Sequence, residues 1–389
     1  MNLLFTAHSY PPDVSGVAAV VAAVAEGFAS RGHSVHVATG TLPGSPVVEV
    51  RNGVTVHRFN LSGNAVSGIK GDTSPYREFA ASAEWDVVAM NHAKIWVTDA
   101  LLPEIQKIPA ARVYMGHGLS ALRNPSYQKY YQWFADRLTA FDRVFALSHK
   151  VEEVEFCRQN HLPSPVIVPN GVNLEEWSKP ILSVREEWGV GSRPWIVNVS
   201  NHNPLKGHAR LIAVADSLKS TLPALRTTII GHSYPAAKWG LGRFGVRGGC
   251  WYRCRMASPF RNHMDLKPGV PRPKVVSAIK EADVVVMSSS WEASPIAILE
   301  AMAAGTPWVS FDVGCVSDHP GGIVVGSARE MTEAVRTLLS DPELRREMGR
   351  QASERIRAAH SWDALVTRYE EEFQRASDAN PRRAVGALG

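Results

Sequence analysis

Cysteine is scarce in this chain: Cys157, Cys250, Cys254 and Cys315 are the only four in 389 residues. So few, at irregular spacing, exclude a disulfide framework and fit a reducing compartment. Long apolar runs are missing as well. No stretch approaches the roughly 18–20 uncharged apolar residues that a membrane-spanning helix needs. The start, Met1 to Ala7, lacks the basic head and longer apolar run of a secretory signal before the chain turns at Pro11-Pro12. The protein is therefore read as cytoplasmic. Charged residues make up only 20%, with a net charge of +5. That excess attracts phosphates, nucleotides or anionic lipid, but no nucleic-acid recognition motif accompanies it, and no nucleic-acid partner is expected. Apolar residues are plentiful, at 45% of the chain. Over this length they suffice for two ordinary cores, which implies two domains.

The order of elements repeats. Leu3–Ala7, Val35–Ala38, Val54–Phe59, Val87–Met90, Val113–Met115, Val144–Leu147 and Val166–Val168 are short apolar runs of strand character. Helical patterns separate most of them, notably Val17–Ala29 (followed by Gly32), Tyr127–Ala140 and Lys150–Asn160. After Pro169-Asn170-Gly171 and Arg193-Pro194 the alternation restarts. Trp195–Ser200, Thr227–Ile230, Val284–Met287, Trp308–Phe311 and Ile323–Val325 read as strands, and His208–Ser220, Lys274–Glu281 and Ile296–Ala304 as helices. Strands alternating with helices imply doubly wound parallel sheets, so the fold class is α/β with two Rossmann-like halves. The expected domains are 1–178, with a last helix 362–377 packing back on it, and 179–361. A tail, 378–389, is expected to be flexible. Two such halves also fit epimerases, phosphorylases and periplasmic-type binding proteins, so they do not name a chemistry.

The segment Trp291-Glu292-Ala293-Ser294-Pro295-Ile296-Ala297-Ile298-Leu299-Glu300 places two carboxylates around the start of a helix. If Ser294 begins that helix, the backbone N–H groups of Ser294, Ile296 and Ala297 form an anion site suited to a diphosphate. Glu300, about two turns in, is then placed for ribose hydroxyls, and Glu292, at the loop tip, for sugar hydroxyls. A cap and a solvated face would produce the same pair.

From Glu292 to Pro307 the chain resembles the E-x7-E signature of retaining GT-B glycosyltransferases, family 4, with the EAMA-x-G-x-P that follows it. Pro11-Pro12 to Gly16, Arg31-Gly32-His33-Ser34-Val35, Pro169-Asn170-Gly171-Val172-Asn173 and Lys206-Gly207-His208 resemble further blocks of that family, in the family's order. The resemblance spans roughly residues 1–375 and implies two Rossmann-like domains facing across a cleft. It also implies transfer of a sugar from a nucleotide-sugar donor with retained configuration. Lys206 would bind the donor diphosphate, Gly16 would let backbone approach the sugar-phosphate, and Val270 would sit where backbone meets the nucleobase. His117, in Met115-Gly116-His117-Gly118, matches the active-site histidine beside the reacting sugar, although a buried, hydrogen-bonded histidine is the plainer reading of a lone one. Two positions depart from the pattern. Ser15 stands where the family often has a second glycine, and Asn201 where it usually has an arginine on the diphosphate. A neutral amide donates a hydrogen bond without charge, so either another cation, His202 or Arg243, compensates or the donor site is weaker or differently shaped. No metal or other cofactor is expected, because these cationic groups can meet the leaving group's charge.

The acceptor is unnamed by the sequence. Between Ile230 and Lys267 the chain is longer than the family generally needs. Lys238, Arg243, Arg247, Arg253, Arg255 and Arg261 interleave there with Trp239, Phe244, Trp251, Tyr252 and Phe260, without an acidic residue from 238 to 261. Such a segment suits an anionic acceptor, a lipid headgroup or a partner surface, and equally an ordinary surface loop. Trp251 is one acceptor candidate; Tyr130 and Trp133, on the aromatic-rich helix from Tyr127, are others, with core packing as the competing account. Cys250-x3-Cys254 with His263 nearby invites a zinc reading, but no second cysteine pair completes four ligands, and no metal site is expected. The acceptor classes compatible with this reading are a small specialised metabolite, a glycan, or a lipid-linked polysaccharide at the membrane face. A phosphorylase- or epimerase-like enzyme and a non-catalytic subunit are the competing functions.

Overall fold

The apolar runs become the strands of two parallel sheets, one in each of two units. The structure, a computed structural model, describes residues 1–13, 15–232, 249–258 and 261–382. The first unit comprises Met1–Gly171 and the chain from Trp362 onward; the second is Val172–Ser361. The break thus falls earlier than the boundary expected at 178.

In the first unit the strands are β1 (Asn2–Thr6), β2 (Ser34–Gly40), β3 (Val48–Arg51), β4 (Val54–Phe59), a small hairpin of β5 (Ser62–Asn64) and β6 (Gly68–Lys70), β7 (Val87–Asn91), β8 (Ala111–Met115), β9 (Arg143–Ala146) and β10 (Val166–Ile167). Their order is β10-β9-β8-β7-β1-β2-β4-β3, all parallel except β3, which runs antiparallel to β4 at the edge. Central strands such as β7 and β8 are buried along their whole length because helices cover both faces. The helix Gly16–Ser30 lays Val21, Val24 and Phe28 on one face. The last helix, Trp362–Asp378, packs into the same core, with Phe373 stacked on Phe28 at 5.3 Å and Tyr369 against Phe145 at 5.2 Å. Gly27 allows that approach, since a Cβ there would lie 2.6 Å from Val366. The tail is not loose from 378: Asn380 is buried and donates to the Pro109 carbonyl at 2.8 Å. Residues 383–389 lie outside the described ones.

The second unit carries β11 (Trp195–Val199), β12 (Arg226–Ile230), β13 (Met264–Lys267), β14 (Val284–Met287), β15 (Trp308–Phe311) and β16 (Gly322–Val325), in the order β13-β12-β11-β14-β15-β16 and parallel throughout. The two longest helices without a counterpart in the sequence reading here are Ala328–Ser340 and Pro342–Ala359. The second buries only Gly349, Ala352 and Ile356 of its 18 residues, so its apolar stripe is too narrow to show as periodicity. Gly349 reaches the Gly305 carbonyl so closely that a Cβ would stand 1.9 Å from it. Among the described residues no helix is long and apolar enough to cross a membrane.

Candidate functional site

The two-carboxylate segment follows β14. Its helix has the bounds read from the sequence, Ile296–Ala304, and does not begin at Ser294 as the anion-site argument supposed: Pro295 is the cap, without a side-chain hydrogen bond, and Ser294 precedes the helix. Ile296 and Ala297 therefore open the first turn, where backbone N–H groups have no intrahelical acceptor. Glu292 does not stand alone at the loop tip. Its Oε1 accepts from Lys206 Nζ at 2.6 Å and from Ser289 Oγ at 2.6 Å, and the carboxylate is only 12% exposed. Lys206 ends a short 3-10 turn, Pro204–Lys206, whose Leu205 N–H is capped by Asn203 Oδ1 at 2.9 Å. The next residue, Gly207, holds φ +65, and a Cβ there would meet the Ser288 carbonyl at 2.0 Å. Only glycine serves at that position. The two loops are stitched together at the backbone carbonyls of Leu205 and Lys206, the side-chain Ser288 Oγ donating to the Lys206 carbonyl at 2.9 Å and Ser290 N–H to the Leu205 carbonyl at 2.7 Å.

Glu300 differs from its expected role as a ready ribose contact. It is buried, and its Oε1 is bound by Arg272 Nη1 at 2.5 Å; Arg272 in turn holds Glu176 at 2.7 Å. Burial raises the Glu300 pKa and Arg272 opposes that rise. Asn201 Oδ1 accepts the His232 N–H at 2.9 Å, so the amide braces its own loop. Val270 lies in the turn after β13, its side chain packed against the unit's core. Of the two compensating groups named for Asn201, His202 is buried and Arg243 lies outside the described residues. The structure supplies another cation, Arg210. It stands over the Phe311 ring at 4.5 Å and lines an open depression of about 230 Å³ with Ser289, Ser290 and Asp312. Its signal was in the sequence: a cation in the first turn of a helix opposes the helix dipole unless an anion answers it.

In the first unit, Gly16 is the first residue of its helix, and Ser15 is the N-cap, its Oγ accepting the Ala18 N–H at 3.1 Å. Serine at this position thus anchors the turn instead of loosening it. Ser15→Ala is expected to cost about 1 kcal/mol of stability, measured by chemical denaturation. His117 is buried, with Nε2 2.8 Å from Asn91 Oδ1, and burial together with nearby His8 lowers its pKa to about 4. The ring is neutral near pH 7. The adjacent Gly118 N–H donates to the buried Glu153 carboxyl at 2.6 Å. Tyr130 is a correction: it is a core residue whose hydroxyl donates to Asp99 Oδ1 at 2.7 Å, not a surface acceptor contact. Trp133 packs against the same core beneath Arg137, at 4.9 Å. In the second unit Trp251 sits edge-on to His202 at 4.7 Å, on a helix Gly249–Ala257 that leaves Tyr252, Arg253 and Arg255 exposed. Arg261 is paired with Asp216 at 2.7 Å. Lys238, Trp239, Phe244, Arg247 and Phe260 lie outside the described residues.

Two family models match the chain: Glycosyltransferase Family 4 over residues 14–176 and Glycosyl transferases group 1 over residues 183–355. The chain belongs to the family 4, group 1 glycosyltransferases. A D-inositol 3-phosphate glycosyltransferase of Geodermatophilus obscurus is 25% identical over 97% of this chain and 89% of its own length. Against the first four curated relatives the chain spans only 44–59% of their length. Among solved structures, sucrose-phosphate synthase from Thermosynechococcus elongatus superimposes with TM-score 0.80 over 97% of this chain and 99% of that one, at 19% identity. Anabaena HepE, solved in complex with UDP, does so with TM-score 0.72 over 96% and 100%, at 16% identity. These likenesses fix the fold as GT-B, two Rossmann-like units of α/β structure. In this chain Ser289 binds the Glu292 carboxylate that Lys206 also holds and shares a depression with Arg210, and the helix start at Ile296 follows four residues after Glu292, a set of groups chemically suited to an anion.

Proposed function

We propose that this glycosyltransferase moves a sugar, with retained configuration, from a nucleotide-diphosphate sugar to a small metabolite or glycan acceptor. The observation that carries the donor assignment is the Lys206–Glu292 pair beside the uncapped start of the helix Ile296–Ala304. Lys206 has three N–H donors and spends one on Glu292, so the others are available to a diphosphate. Arg210 takes the part that the family's arginine plays where this chain has Asn201. Lys206, Arg210 and the helix start answer the charge of the departing diphosphate, so the transfer step is proposed without a metal. Glu292, fixed by Ser289, orients sugar hydroxyls, and neutral His117 is assigned to the reacting sugar. In the retaining step, the acceptor oxygen bonds to the anomeric carbon on the face the diphosphate leaves, and its proton passes to a phosphate oxygen. HepE, solved with UDP, makes uracil the first base to test.

The test is a thermal-shift panel of UDP, GDP, ADP, dTDP and CMP. At a concentration about 100 times Kd, one nucleotide stabilises by roughly 2.7 kcal/mol, a shift of several degrees. Stabilisation by none of the five, on folded protein, removes the donor assignment.

A further inference from the structure

The sequence offers Cys250 and Cys254 with His263 nearby, and no second cysteine pair to complete a ligand set. His263 is engaged with Asp216 at 3.2 Å. The structure completes the set from elsewhere: one ligand atom from each of His202, His208, Cys250 and Cys254 lies within 4.8 Å of the other three. Three of the four residues are buried, and Cys250 is half-buried.

Each element explains its share. Cys250 and Cys254 are four apart on the helix Gly249–Ala257, so both thiols project from one face. The same parallel projection makes a disulfide between them unfavourable, since its dihedral needs side chains that approach each other. Both are free thiols. His208 opens the helix His208–Thr221, and its outer ring nitrogen is held by a hydrogen-bond relay. Asn198 Nδ2 donates to the Val286 carbonyl at 2.8 Å, which presents Asn198 Oδ1 to the Ser200 hydroxyl at 2.7 Å. With its one proton given to Asn198, Ser200 Oγ accepts from His208 Nε2 at 2.7 Å. The ring's other nitrogen, His208 Nδ1, faces Cys250 Sγ, 3.2 Å away. A histidine whose outer N–H is held by an oxygen while its inner nitrogen faces thiols is oriented as metal-ligating histidines are. His202 brings the fourth group: Nδ1 is 3.9 Å from Cys250 Sγ, and its buried Nε2 has no hydrogen-bond partner among the described residues. Hydrogen bonding alone leaves that ring unaccounted for.

We propose that His202, His208, Cys250 and Cys254 form a tetrahedral zinc site. Two thiolates and two imidazoles are the donor set that selects this ion over oxygen-seeking cations. Bonds of about 2.3 Å to sulfur and 2.0 Å to nitrogen set neighbouring ligand atoms roughly 3.3–3.8 Å apart. The four groups need close by only about an ångström. With four protein ligands the ion has no open position, so its work is structural. It ties the helix Gly249–Ala257, with exposed Tyr252, Arg253 and Arg255, to the loop that carries Asn201 and Lys206. The site stands on its own geometry and does not depend on the donor assignment.

The experiment uses the full chain, untagged, expressed in zinc-supplemented medium and purified without chelator. Elemental analysis is expected to find about one zinc per chain. Exchange for Co(II) is expected to give the visible absorption of tetrahedral cobalt with a thiolate charge-transfer band. The Cys250→Ser/Cys254→Ser variant loses both signals, while His263→Ala, the control from the sequence reading, keeps them. Two of the four thiols resist a thiol reagent until a strong chelator is added. Wild-type protein with no zinc and no cobalt spectrum overturns the proposal, and so does a Cys250–Cys254 disulfide found by mass under non-reducing conditions. Both readings are made on the wild type, so a variant that fails to fold does not blur them.

Discussion

Lys206→Ala is expected to lower turnover by about 100- to 1,000-fold, the usual effect of removing one positioned group that meets developing charge. It is also expected to abolish the nucleotide-dependent thermal shift. The fold should survive, because the loop is held by backbone and not by the lysine side chain. Ser288 Oγ binds the Lys206 carbonyl, Ser290 N–H binds the Leu205 carbonyl, and Gly207 makes the turn. The ion pair adds a second expectation. Removing Lys206 leaves Glu292 with only the Ser289 contact of the two named for its Oε1, in a setting 12% exposed. Lys206→Ala/Glu292→Gln should therefore recover part of any stability lost by Lys206→Ala while recovering no turnover. Lys206→Arg should rescue poorly, since a planar guanidinium does not reproduce a compact ammonium already sharing one donor with Glu292. Circular dichroism, steady-state rates and the nucleotide thermal shift are the three readings. Normal turnover with a normal nucleotide shift in Lys206→Ala would refute the donor assignment.

How much of this was legible in the sequence follows from where each signal resides. Strands buried on both faces are mostly apolar runs, so Val87–Met90, Val113–Met115 and Val284–Met287 could be read directly, while the buried Arg112 hid the start of β8. Edge and hairpin strands such as Val48–Arg51 and Ser62–Asn64 are partly exposed and leave no such run. The Glu292–Glu300 spacing and Lys206 were legible because they are local, but their meeting was not. A distance of 86 positions separates Lys206 from Glu292, and only the fold closes it. The same holds for the His202, His208, Cys250 and Cys254 cluster, whose histidines lie on a loop and at the start of the helix after it, and whose cysteines lie on a helix some forty positions later. Tyr130 was misjudged for the opposite reason. Aromatic crowding on a helix looks alike whether it faces core or ligand, and the Asp99 partner that settles the matter is remote in sequence. Arg210 was missed because a single cation in a helix's first turn is a weak signal until Ser289 and Phe311 are seen around it.

Glu153→Gln should stabilise the protein at pH 8 and leave it unchanged at pH 5. The Glu153 carboxyl is buried, accepts the Gly118 N–H, and has a second oxygen without a partner among the described residues. Burial pushes its pKa up to about 7 from 4.5. A raised folded pKa means that the native state still holds a proton between about pH 4.5 and 7 that the unfolded chain has released. Stability from this group is thus fully present below 4.5 and is lost as pH rises through 7, in total roughly 3 kcal/mol. Glutamine keeps the oxygen that receives Gly118 N–H and removes the charge, so the pH 8 gain approaches that figure, less whatever its extra N–H groups cost unpaired. His92 and His117 act in the opposite sense. Their pKa values are lowered to about 3 and about 4, so the unfolded chain binds their protons first and stability falls as pH drops below 6.5. Wild-type stability should therefore peak between these flanks, and Glu153→Gln should lift the alkaline one alone. Denaturation curves at pH 5 and pH 8 decide it, for an equal change at both would mean that packing, not ionisation, is what the substitution alters. The loop concerned is the one that carries His117. A Cβ on Gly116 would stand 2.7 Å from Glu153 Oε1, so the charge that destabilises the native state at high pH lies directly beneath the residue assigned to the reacting sugar.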